Sequence, residues 1–86
     1  PMAPDKLNVI IVSPHHTVFR GTASAISLKN QVGPFDILPE HANFVSTIEE
    51  FVVIRQNGSR RRLPIGRGIV YCRENNVKIF VGVPRV

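Results

Sequence analysis

Tryptophan is absent from this sequence, and cysteine, methionine and tyrosine occur once each. A lone cysteine excludes an internal disulfide framework, and no four-ligand Cys/His spacing of the structural zinc kind is present. Stability must therefore come from apolar packing. No apolar run approaches the roughly 20 residues that a membrane-spanning helix needs, and the N-terminus lacks the charged, apolar and small-residue regions of a secretory signal. A soluble chain, compatible with a reducing compartment, is expected. Acidic side chains are scarce as well, 6 Asp and Glu against 11 Lys and Arg, which leaves a net charge of +5 and a pI near 10.4. That balance implies attraction to something acidic, a protein loop, an anionic lipid surface or nucleic acid, and does not choose among them.

What is present is a succession of short strands. At 86 residues the chain has room for one domain over residues 1–86, able to bury roughly 60 to 65 per cent of the surface it exposes when unfolded. Candidate strands at 7–13, 17–20, 23–29, 35–38, 44–48, 52–56, 60–65, 69–73 and 77–83 are separated by Pro14, Gly21, Gly33, Pro39, Asn57-Gly58, Gly66 and Asn75-Asn76. This spacing predicts an all-β fold, a small antiparallel β-sandwich or flattened barrel of about 8 to 10 short strands. Alternation places Val77, Ile79, Val81 and Val83 on one face of the last strand, and Val52 with Ile54 on one face of a central strand. Val53 then falls beside Arg55 on the other face, where an apolar side chain suggests a partner surface. Arg60, Arg61 and Arg62 follow the Asn57-Gly58 hairpin, and with Arg55, Arg67, Arg73 and Lys78 they are expected to form a basic patch on one side of a sheet. Within the run, Arg60 and Arg62 share a face while Arg61 points the other way.

Residues able to do chemistry do not converge. His41 has Asp36 and Glu40 as its nearest acids, yet no Ser-His-Asp order or His-x-x-x-His pair accompanies it, so a structural loop histidine is expected. His15 and His16 are adjacent in a turn and point apart, which disfavours a shared metal. Cys72 alternates with Val70 in an apolar strand and suits a small buried hydrophobe. Gly66-Arg67-Gly68 lacks the lysine and spacing of a phosphate-binding loop, and its glycines are expected to serve a turn or a close approach. The triple arginine lacks the interleaved aromatics of a single-strand nucleic-acid binder. No catalytic residue, metal, cofactor or small-molecule substrate is expected.

One stretch is more specific than the rest. Residues 33–48, GPFDILPEHANFVSTI, combine a Gly-Pro turn, a short apolar strand, Leu38-Pro39, His41-Ala42 and a second strand containing Ser46-Thr47. In kind and spacing this resembles the epsilon subunit of F-type ATP synthases. The resemblance extends to residues 7–13, to Val18-Phe19-Arg20-Gly21, to the Asn57-Gly58 hairpin, and to Gly68-Ile69-Val70 and Asn76-Val77-Lys78-Ile79. It departs at Glu49-Glu50-Phe51, where the family has a Pro-Gly turn, and at Arg67, which replaces the first of a glycine pair.

The resemblance implies a non-catalytic rotor component of the central stalk, peripheral to the cytoplasmic face of the cell membrane, coupling the gamma subunit to the c-subunit ring. Pro34, Phe35, Asp36, Glu40, His41 and Asn43 would face the ring, and Val53, Arg55, Arg61 and Tyr71 would face gamma. Typical epsilon subunits continue into a two-helix C-terminal domain, so the inhibitory and nucleotide-binding properties of that domain are not expected of residues 1–86. Pro1 before Met2 is expected to be an added residue ahead of a native start. The alternative is a free-standing basic β-sandwich that holds nucleic acid or lipid headgroups through residues 60–62.

Overall fold

The structure, a computed structural model, describes residues 6–82. Val83 and Met2, both invoked above, lie outside the described residues. Seven strands follow one another: β1 Leu7–Val12, β2 Thr17–Ala23, β3 Ala25–Lys29, β4 Pro34–Ile37, β5 Phe44–Gln56, β6 Ser59–Arg73 and β7 Asn76–Val81. They form a mixed sheet in the order β2-β1-β7-β6-β5-β3-β4. Among the described residues there is no helix.

The all-β expectation holds, with fewer and longer strands than the turn residues suggested. Strand β5 has 13 residues and β6 has 15, and each joins two stretches that look separate in sequence. The joint is a bulge. Glu50 pairs with Gly66 and Phe51 with Pro64, so Ile65 is the extra residue. Glu50 and Gly66 both take positive φ, 71° and 70°, which bends the ladder without ending it. The Glu49-Glu50-Phe51 departure from the family pattern is thus no turn but a bend inside a continuous strand.

The bend divides the sheet into two layers. The first half of β5 and the second half of β6 continue through β7, β1 and β2; the first half of β6 and the second half of β5 continue through β3 to β4. All strand pairs are antiparallel except β1 with β7, which run parallel in register from Asn8↔Asn76 to Val12↔Phe80.

Between the layers lie Leu7, Val9 and Ile11 of β1, Ile26 and Leu28 of β3, Ile37 of β4, Ile48, Val52 and Ile54 of β5, Val70 and Cys72 of β6, and Val77 and Ile79 of β7. Each Val, Leu or Ile so enclosed stabilises the fold by about 1.5–3 kcal/mol. The glycines at the bend act as expected. Gly66 occupies the left-handed region, and a Cβ on Gly68 would meet the Phe80 carbonyl oxygen of β7 at 2.5 Å. The outward residues of both layers are what the fold offers to partners.

Candidate functional site

The loop of residues 38–43 leaves the edge strand β4 and enters β5. It is held from outside by one side chain. Asn75, buried in the turn between β6 and β7, accepts from the Glu40 N–H at 2.6 Å and donates through Nδ2 to Glu40 Oε2, also at 2.6 Å. Its own carbonyl accepts from the Asn8 N–H at 2.8 Å, tying the turn to β1. Glu40 sits at φ 68° and Asn75 at φ 65°, the left-handed region that asparagine tolerates better than most residues.

His41 is half-buried and spends its polar groups locally. Its N–H donates to the Leu38 carbonyl, its Nδ1 donates to the Ala42 carbonyl at 2.8 Å, and its ring meets Phe44 edge-on at 5.6 Å. Phe44 meets Phe35 in turn at 5.4 Å. The histidine is therefore the outer member of an aromatic row that runs into the core. Of the six residues expected to face the ring, Glu40, His41 and Asn43 are together in this loop. Pro34 and Asp36 are exposed on β4, and Phe35 packs inward beneath them.

The four residues expected to face gamma do not share a surface. Val53 is 2% exposed, which corrects its reading as a contact residue. Ser27 and Arg62 flank it across the ladder, and the long side chains of that face cover it. Arg55 lies on the same outer face, where its Nε and Nη2 donate to Ser27 Oγ at 3.3 Å. Arg61 is on the inward side of β6, opposite Ile54, and escapes burial at the open end with its guanidinium 5.9 Å above the Phe19 ring. Arg62, on the outer face, covers Phe51 at 4.3 Å. The basic side chains are accordingly split. Arg55, Arg60 and Arg62 belong to one layer, while Arg67, Arg73 and Lys78 belong to the other.

Tyr71 occupies a different place, the outer face of the first layer, with neighbours that sequence reading passed over. It pairs across the ladder with Val45 on one side and Lys78 on the other, and its ring meets Phe80 edge-on at 5.8 Å. Val45 is 63% exposed, Tyr71 43% and Phe80 38%. Three large apolar side chains on three adjacent strands make a continuous exposed patch, flanked by Lys78 and Arg73. The alternation of 76–81 already turned Phe80 outward; its meeting with Tyr71 depends on register, which local sequence does not carry.

The family profile of the ATP synthase Delta/Epsilon chain, beta-sandwich domain, matches residues 6–83. The chain belongs to that family. An ATP synthase epsilon chain of Clostridium botulinum is 42% identical over 72 residues, 81% of this chain and 54% of the relative, and one of Leptospira borgpetersenii is 30% identical over 76 residues, covering 87% and 60%. The chain thus spans a little over half the length of these curated relatives. Among solved structures, a chain of the Euglena gracilis mitochondrial ATP synthase (OSCP/F1/c-ring) superposes with a TM-score of 0.86 at 14% identity, covering 94% of this chain and 53% of that one. A chain of the Tetrahymena thermophila mitochondrial ATP synthase central stalk and c-ring gives 0.72 at 14% identity, covering 87% and 62%. At that identity the likeness is one of fold.

In this Delta/Epsilon sandwich, the remaining reactive groups have structural settings. Cys72 is buried among the core side chains, and burial pushes its thiol pKa up, away from the thiolate a nucleophile needs. Ser13 Oγ lies 3.3 Å from His16 Nδ1 and accepts from the N–H groups of His15 and His16, closing the β1–β2 turn. Among the described residues, no three His, Cys, Asp or Glu side chains are grouped to hold a metal ion.

Proposed function

We propose that residues 1–86 form one β-sandwich domain of a non-catalytic central-stalk subunit in a membrane-associated F-type ATP synthase, at the cytoplasmic face of the cell membrane. It couples the gamma subunit to the c-subunit ring. The observation that carries the reading is the exposed apolar patch of Val45, Tyr71 and Phe80 on a sandwich of the Delta/Epsilon family. A rotor adaptor transmits torque through buried interface area rather than through a titrating group, and an aromatic-centred patch with a cationic rim is what such an interface requires.

Gamma takes the Val45, Tyr71 and Phe80 face. The ring takes the loop containing Glu40, His41 and Asn43, with Pro34 and Asp36 beside it and Phe35 supporting it from below. Arg55 and Arg61 lie away from the Tyr71 face and are not needed for gamma. Reconstitution with purified gamma and c ring tests the assignment. Tyr71→Ser with Phe80→Ser is expected to weaken gamma binding more than about tenfold with little change in thermal stability, the loss usual for central aromatic anchors. Unchanged gamma affinity in that variant, or disulfide trapping of a cysteine at Asn43 by gamma rather than by c, would overturn it.

A further inference from the structure

We propose that Arg55, Arg60 and Arg62 form a docking site for an extended acidic segment of a partner protein, separate from the surface assigned to gamma. All three are exposed on the outer face of the β5–β6 hairpin. Arg55 and Arg60 are direct ladder partners, and like charges on directly opposed residues work against folding. Arg62 follows Arg60 on the same face, about 6.5–7 Å further along the strand.

No described carboxylate forms an ion pair with any of the three. Glu49 and Glu50 serve Lys29, Glu74 serves Arg73, and Glu40 serves Asn75. Asp36 is on the same face but lies beyond Ser27, on β4. Meanwhile two of the three guanidinium groups are already oriented, Arg55 by Ser27 Oγ and Arg62 by the Phe51 ring. Such preorganisation lowers the entropy cost of binding. Alternate side chains of an extended peptide recur at the same 6.5–7 Å or so as Arg60 and Arg62, so carboxylates two residues apart would meet them in register, each within reach of a planar two-pronged donor.

The same face is poorly made for the other anionic partners. A base needs an open ring to stack on, and Phe51 is covered by Arg62, while Tyr71 and Phe80 are on the other layer. Among the described residues the large exposed apolar side chains are Val32, Leu38, Val45, Tyr71 and Phe80, and none is on residues 51–64, so this hairpin carries no wedge for a bilayer.

The test is fluorescence anisotropy of the full chain with a labelled peptide of alternating Glu and Thr. Saturable binding is expected, weakened about two- to fivefold by Arg60→Ala or Arg62→Ala and unchanged by Arg73→Ala or Lys78→Ala. Equal weakening by the second pair would reduce the effect to net charge and overturn the site. So would tighter binding of oligothymidylate or of phosphatidylserine vesicles than of the peptide. Arg60→Glu supplies a check that misfolding cannot mimic. It gives Arg55 an opposite charge across the ladder, so the melting temperature should rise while peptide binding is lost; a lower melting temperature would contradict the repulsion on which the inference rests.

Discussion

Asn75 illustrates how one side chain can position a loop it does not belong to. Both ends of its amide are used by Glu40, and removing them leaves a part-buried N–H and carboxylate without partners. Asn75→Ala is expected to cost about 2 kcal/mol for those bonds, plus roughly 1 kcal/mol for alanine at positive φ. Asn75→Gly isolates the first contribution. Urea midpoints decide, and a glycine variant as stable as the parent would remove the clamp from the account. Val53 and Val45 make a matched pair on the two layers. Val53→Ala should destabilise by about 1–2 kcal/mol as a buried truncation, whereas Val45→Ala should stay within about 0.5 kcal/mol. Alternation alone assigned Val53 to an outer face correctly; what it did not contain is the cover provided by side chains on the adjacent strands. The reverse holds for Tyr71, whose exposure could be inferred from its alternation with Val70 and Cys72, but not its company.

At the level of strands, the bend at Glu50 and Gly66 sets most of the architecture. Gly66 signals an interruption in the sequence, yet a bulge interrupts the pattern without ending the ladder. That is why four expected strands are two in the structure. The outward parity in β6 shifts at this point, from Arg60 and Arg62 before it to Ile69 and Tyr71 after it. Gly68→Ala should be the more harmful of the two glycine substitutions, by about 2 kcal/mol or more, because its Cβ would press on the β7 backbone. Gly66→Ala should cost roughly 1 kcal/mol, from its φ alone. Thermal melts of both variants rank them. The bend also carries a pH signature. Lys29 hydrogen-bonds Glu50, and that bond first, with the charges of Glu50 and Glu49, raises its pKa above the ordinary 10.5. Its contribution is fully present below 10.5 and disappears as pH rises through the folded value. Lys29→Gln should therefore flatten the alkaline limb of the stability curve and leave the neutral region nearly unchanged in shape.

Across the whole molecule, the feature least visible in sequence is the pairing of the first strand with the last. Nothing in residues 7–12 or 76–81 announces a parallel partner, because the pairing depends on the completed sheet between them. Its consequence is mechanical. Because β1 and β7 run side by side in the same direction, tension applied to the start of one and the end of the other slides them past each other. Their evenly spaced hydrogen bonds are then loaded together rather than opened one at a time. Single-molecule extension from those two points should meet a high force peak, and extension from the start of β1 and the far end of β2, its hairpin neighbour, a lower one. The pairing of the first described strand with the last is thus also the one whose geometry resists shear.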